Sequence, residues 1–266
     1  MTKLGKLLNS YINPLARNLF RGNFNNSSFL IKRMIYRGFE LSKKSNRQLS
    51  LLWCKENRES LEILIENEKE LKLFEESKLF FKNLEKDAAK KIKHLNISMG
   101  GGGHYFLLYY LIRKLKPNVV VETGVALGFS SKAILEAINV NELGKLYSSD
   151  FPYIALHNSK RYIGYLVDDN LKSNWQLFIK GDAKNLTSIC NLISTIDLFH
   201  YDSDKSYLGR YFTLKKIKNK LHMNSVIVMD DIQDNLFFKS FVEKHTCKYH
   251  VFEFEGKYSG IIENLN

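Results

Sequence analysis

The stretch VVVETGVALGFSS, residues 119–131, decides the fold. Its first part, Val119-Val120-Val121-Glu122, is a β-branched run that reads as a buried strand closed by a carboxylate. Its end runs into SSKAILEAI, which reads as a helix, and Gly124 and Gly128 flank the turn between them. Glycines at such a turn let the backbone approach a ligand and aim helix N–H groups at it. The spacing is G-x-x-x-G, not the G-x-G-x-x-G of a dinucleotide fingerprint, and no Gly-Lys-Ser/Thr follows. A pyrophosphate or triphosphate is therefore disfavoured at this turn.

Outward from it, HYFLLYYLIRKLKP (104–117) reads as an apolar helix stopped by Pro117. LYSSD, WQLFI, IDLFHYD and SVIVMD read as further strands, and KYHVFEFEGKYSGII as a closing hairpin turning at Glu255-Gly256. Helical patterns at 184–194 and 206–221 fall between strands. The expected fold is a doubly wound, mostly parallel seven-stranded α/β sheet with a C-terminal antiparallel hairpin. Ligands on such sheets bind beyond the carboxyl ends of the strands. Glu122, Asp150, Asp202 and Asp230 all fall there.

Upstream the texture differs. Residues 49–99 are rich in Leu, Glu and Lys, with apolar residues at helical spacing, and read as a helical appendage. Residues 1–48 form a basic, Asn/Ser-rich arm, and 100–266 the α/β domain, entered through Gly100-Gly101-Gly102-Gly103. The formal charge of +12 is uneven: residues 1–50 hold 10 Lys/Arg against 1 Asp/Glu, while 101–266 carry only +3. The charge thus describes the arm and gives no support for a polyanionic substrate at the strand ends. Cys54, Cys190 and Cys247 are too few and too scattered for a disulfide framework or a zinc site, so a reducing cytoplasm is expected. No apolar run approaches the roughly 18–20 residues that span a bilayer.

The strand ends narrow the ligand. Asp150 is placed to accept hydrogen bonds from two ribose hydroxyls, and Asp182, in KGDAKN, to meet an adenine amino group. Three carboxylates closing successive strands suit an adenosine without a phosphate. Residues 105–263 resemble a class I S-adenosylmethionine-dependent methyltransferase, most closely the caffeoyl-CoA and catechol O-methyltransferases and their bacterial relatives. The matching stretches are ETGVALGFSS, LYSSDFP, FIKGDA, IDLFHYDSDKSY and SVIVMDDIQDN. The resemblance implies S-adenosylmethionine held by Glu122, Gly124, Gly128, Ser130, Asp150 and Asp182.

Asp202, Asp230 and Asp231 end adjacent strands and are read as ligands of one hard divalent cation, Mg or Ca. The catechol type places its metal on an Asp after the first of these strands and an Asp-Asn pair after the next; here Asp231 stands where Asn is usual. Bacterial relatives often show DSDHSY where this chain has Asp202-Ser203-Asp204-Lys205-Ser206-Tyr207. Lys205 falls where the catechol type carries its lysine base, so Lys205 and Asp202 are the expected catalytic pair. Tyr153 and Tyr162 are candidates for an acceptor pocket, His104 reads as a cap of the following helix, and His200 as a partnered core residue.

The expected function is methyl transfer to a hydroxyl of a small molecule: a sugar, a glycan intermediate or a phenolic. The competing reading is an RNA-binding methyltransferase, or a non-catalytic S-adenosylmethionine-binding module, that uses the basic arm. Against nucleic acid, the charge lies outside the α/β domain and no Asn-Pro-Pro-Tyr/Phe motif is present. Peripheral membrane contact by residues 1–48 and a homodimer contact through 49–95 are further expectations.

Overall fold

In the computed structural model of the chain, residues 44–265 are described apart from 96, 98–102, 154–155 and 157, together with 31 and 34–36. Most of the basic arm, and Gly100, Gly101 and Gly102, lie outside the described residues. The elements run α1 (Lys44–Asn57), β1 (Arg58–Glu59), α2 (Glu68–Ile92), α3 (Tyr105–Leu115), β2 (Val119–Thr123), α4 (Phe129–Asn141), β3 (Lys145–Ser149) and β4 (Trp175–Phe178). They continue with α5 (Asp182–Leu192), β5 (Ile196–Tyr201), α6 (Tyr207–Ile217), β6 (Leu221–Met229), α7 (Phe237–Lys244), β7 (Lys248–Phe254) and β8 (Lys257–Glu263).

The sheet order is β1-β7-β8-β6-β5-β2-β3-β4. Every pairing is parallel except those of β8 with β6 and β7. The sheet therefore has eight strands where seven are expected from the sequence. The addition is β1, two residues that pair parallel with β7, Arg58 opposite Val251 and Glu59 opposite Phe252. Cross-strand charge supports it: Arg58 Nη1 lies 2.6 Å from Glu253 Oε2, and Glu59 Oε2 lies 2.5 Å from His250 Nδ1. A charged dipeptide has no alternating hydropathy, so nothing in its pattern marks it as a strand.

Successive residues of the inner strands bury opposite faces. Val120, Leu198 and Val228 pack with α2, α3 and α4 in one cluster, whereas Val121, Phe199 and Ile227 pack with α1, α5, α6 and α7 in the other. Residues 49–95 thus contribute to both sides: Cys54 of α1 enters the second core, and Phe74 and Leu84 of α2 the first. Asn67 caps α2, its side chain accepting from the N–H of Glu70 at 3.0 Å, and acidic residues in the first turn with Lys90 and Lys91 in the last match the helix dipole. On α3, Tyr109 stacks on Phe80 at 4.0 Å and donates to Glu76 at 2.7 Å. Cys54, Cys190 and Cys247 are free thiols. Among the described residues no helix is long and apolar enough to cross a membrane.

Candidate active site

The strand order reverses beside β2, since β3 and β4 lie to one side of it and β5 and β6 to the other. This is where an open α/β sheet forms its ligand crevice. The turn leaving β2 is left-handed at Gly124 (φ +85°) and Gly128 (φ +94°). A Cβ on Gly124 would lie 2.5 Å from the carbonyl oxygen of Asp202, and one on Gly128 2.8 Å from Cα of Gly164. Conformation and space both demand glycine at these two positions.

Asp150, following β3, faces that turn. Its Oδ2 accepts from the N–H groups of Val125 (3.1 Å) and Ala126 (2.8 Å), and its Oδ1 from that of Phe151 (2.6 Å). Burial pushes its pKa up to about 6 despite these three bonds, and the charge of Asp182 adds to the rise. Asp182 opens α5 and accepts from the hydroxyl of Ser149 at 2.6 Å. Gly124, Gly128, Asp150 and Asp182 are therefore gathered at the expected strand ends.

Glu122 and Ser130 are also brought together, but as part of a buried cluster. Glu122 is fully enclosed and accepts from the hydroxyls of Ser130 and Ser131, each at 2.5 Å, and of Ser148 at 2.8 Å. These bonds tie the start of α4 to β2 and β3. Next to them, His200 lies between two acids: its Nδ1 is 3.4 Å from Glu122 Oε1 and its Nε2 is 2.8 Å from Asp230 Oδ2. Burial alone would lower the pKa of this imidazole, but hydrogen bonding to, and the charges of, Asp230 and Glu122 raise it to about 9. Burial likewise works against the Asp230 carboxylate, yet the imidazolium holds it well below the usual range. Asp230 also accepts from the hydroxyl of Ser259 (2.5 Å) and the N–H of His104 (3.3 Å).

On the neighbouring loops, Lys205 Nζ contacts Asp202 Oδ1 and lies 3.0 Å from Asp231 Oδ2. Burial lowers the pKa of Lys205, while the charges of Asp231 and Asp230 oppose that fall. Asp231 itself is held low by Lys205 against the effect of burial. It sits in the left-handed region (φ +53°), and the Arg210 guanidinium donates to the carbonyl oxygens of Asp230 (3.0 Å) and Asp231 (2.8 Å).

A hard cation requires oxygen ligands converging on one point. The carboxylate of Asp230 is engaged by His200, Ser259 and His104, and an ammonium lies between Asp202 and Asp231. Among the described residues no group of three His, Cys, Asp or Glu side chains is arranged to hold a metal ion. The residues present do not fit the expected Mg or Ca: the three aspartates share the strand ends, but only two face each other, and Lys205 supplies the positive charge between them. His200 does prove to be a partnered core residue. Its link between Glu122 and Asp230 has no mark in the sequence and follows from the sheet, where Glu122 and His200 are register partners on β2 and β5.

The tyrosines and His104 fall differently from expectation. Tyr162 is buried with Leu127 and Leu166, whereas Tyr153 is exposed. His104 does precede α3 at the cap position, but its side chain makes no capping bond. The ring stacks instead on Phe254 at 4.3 Å.

Residues 121–232, from β2 to the turn after β6, match the methyltransferase-domain family. Among solved structures, a methyltransferase from Geobacter sulfurreducens is similar with a TM-score of 0.52 and 17% identity, over 68% of this chain and 88% of its own. The O-methyltransferase TomG from Streptomyces achromogenes, involved in tomaymycin synthesis and solved in complex with SAM, gives 0.51 and 14%, over 69% of this chain and 89% of its own. Likeness of this degree establishes the fold. Among curated proteins none matches the chain in sequence.

Proposed function

We propose that this chain, whose residues 121–232 match the methyltransferase-domain family, is of the class I type and transfers a methyl group from S-adenosylmethionine to a hydroxyl of a small acceptor. The observation that carries this reading is the placing of Asp150 and Asp182 beside the Gly124–Gly128 turn, at the point where the sheet reverses its order. The residues there fit an adenosine. The two glycines let the turn pass tightly against the backbone of Asp202 and Gly164, and the carboxylates of Asp150 and Asp182 offer acceptors for ribose hydroxyls and an exocyclic amine.

The cofactor, when bound, supplies a methyl group made electrophilic by its sulfonium. Transfer forms an acceptor O–C bond and breaks the S–C bond, leaving a thioether and releasing one proton from the acceptor hydroxyl. The Asp202–Lys205–Asp231 cluster takes that proton: two carboxylates and one ammonium leave it with a net negative charge and room for one more. Within it, the carboxylates of Asp202 and Asp231 are the groups with room for the proton, and the Lys205 ammonium, whose proton affinity burial has reduced, holds both in place. A buried base adjusted in this way is worth about a hundredfold to ten-thousandfold in rate. No step passes through a metal.

Calorimetric titration with S-adenosylhomocysteine tests the reading. Binding by the intact chain that is abolished in Asp150→Ala is the expected result. A chain that is folded yet does not bind overturns the assignment.

A further inference from the structure

Helix α6 exposes side chains of the kind a surface helix usually buries. Arg210 and Thr213 are turned inward, whereas Tyr207, Tyr211 and Phe212 are exposed, the last two by 46% each. Single exposed apolar residues are ordinary, but three aromatic side chains within two turns form a patch. The basic arm meets the domain at this patch: Tyr36 stacks on Phe212 with ring centroids 6.0 Å apart. Residues 31 and 34–36 are helical, so Ile31 and Ile35 lie one turn apart, and both are exposed.

The charge around the patch has one sign. Residues 206–229 hold five Lys/Arg and no Asp or Glu, more than the net +3 of residues 101–266. Lys215, Lys216 and Lys218 are exposed just beyond Phe212 and make no ion pair among the described residues. The positive excess of the chain therefore has two sources, the arm and α6, and the Tyr36–Phe212 stack joins them.

We propose that α6 and the segment around Tyr36 form a docking surface for an anionic lipid bilayer. Phosphate headgroups supply the negative charge that these cations face, tyrosine rings sit at headgroup depth, and Ile31, Ile35 and Phe212 reach the acyl boundary. Long lysine stems let the ammonium groups stay at the phosphates while the rings enter. A nucleic acid would use the same cations, but the aliphatic Ile31 and Ile35 offer no base a stacking face, and one face of Phe212 is taken by Tyr36. Because α6 starts two residues after Lys205, its first turn borders the strand-end cluster. The docking surface stands apart from the methyl-transfer reading.

The test sediments the full chain with vesicles of phosphatidylcholine containing about a third phosphatidylserine, and with vesicles of phosphatidylcholine alone. Binding to the anionic vesicles should be at least tenfold tighter, and should fall as salt rises from about 0.1 to about 1 M. Lys215→Gln, Lys216→Gln and Lys218→Gln combined should weaken it about a hundredfold, since each cation near such a surface contributes about fivefold. Tyr211→Ser with Ile35→Ser should weaken it about tenfold. All these side chains are exposed, so the melting temperature and S-adenosylhomocysteine affinity of both variants should match the parent. No binding to the anionic vesicles, equal binding to the two vesicle types, or undiminished binding by the glutamine variant overturns the surface. Undiminished binding by the serine variant overturns the entry of the patch into the bilayer. A single-stranded RNA that displaces the vesicles from the parent, and is not bound by the glutamine variant, assigns the surface to nucleic acid instead.

Discussion

Substituting His200→Leu removes the imidazolium that lies between two enclosed carboxylates, and the size of the loss follows from two independent arguments. Breaking a buried, hydrogen-bonded charge pair by deleting one partner costs about 3–5 kcal/mol, because the other charge is left uncompensated. The imidazole is also raised from 6.5 to about 9 by Asp230 and Glu122. At about 1.4 kcal/mol per tenfold change in proton affinity, that is about 3 kcal/mol of stability. The sign follows from the direction of the rise. The folded state binds the proton more tightly than the unfolded chain, so the contribution is complete below pH 6.5 and fades as pH rises through 9. Urea unfolding followed by tryptophan fluorescence, at pH 6, 7.5 and 9.5, measures it. The variant should be about 3–5 kcal/mol less stable at pH 6, and the gap to the parent should narrow by most of 3 kcal/mol at pH 9.5. A loss below 1 kcal/mol at pH 6, or a gap that does not change with pH, would refute the buried ion-pair account.

Three other outcomes follow from the site. Because burial raises Asp150 to about 6 and its ionised form is the better hydrogen-bond acceptor, S-adenosylhomocysteine affinity should be full above pH 7 and fall as pH drops through 6. Calorimetry at pH 5 and 7.5 checks this, and equal affinities would remove Asp150 from the ribose site. Gly128→Ala forces a side chain into φ +94° and against the backbone of Gly164, and should cost about 2 kcal/mol or more, read as a lowered melting temperature. With Lys205 between Asp202 and Asp231, EDTA should leave methyl transfer unchanged, whereas Lys205→Met should lower kcat about a hundredfold. Sensitivity to the chelator would show that the ammonium yields its place to a cation.

The ends of β2, β5 and β6 are legible because each is an apolar run closed by an acid, a pattern that survives without tertiary information. Residues 119–123 and 196–201 form strands where the β-branched and aromatic runs stand, and β6 extends back from the expected SVIVMD to Leu221. Carboxylate direction was not legible. Asp230 and Asp231 are neighbours in sequence, yet the first turns to His200 and the second to Lys205, and only the pairing of β5 with β2 and β6 decides that. His104 shows the same limit: a polar residue before a helix reads as a cap, and only the position of Phe254 at the far end of the chain reveals where its ring goes. β1 was invisible for a related reason, since its reason to be a strand lies in Val251 and Phe252.

That edge strand also orders the birth of the molecule. Arg58 and Glu59 leave the ribosome early, while the residues they pair with lie near the end of the 266-residue chain. The outer side of β7 is covered only when β1, made nearly two hundred residues earlier, pairs back along it. A chain without residues from Lys248 onward loses β7 and β8 and also leaves Arg58 and Glu59 without the strand they pair with.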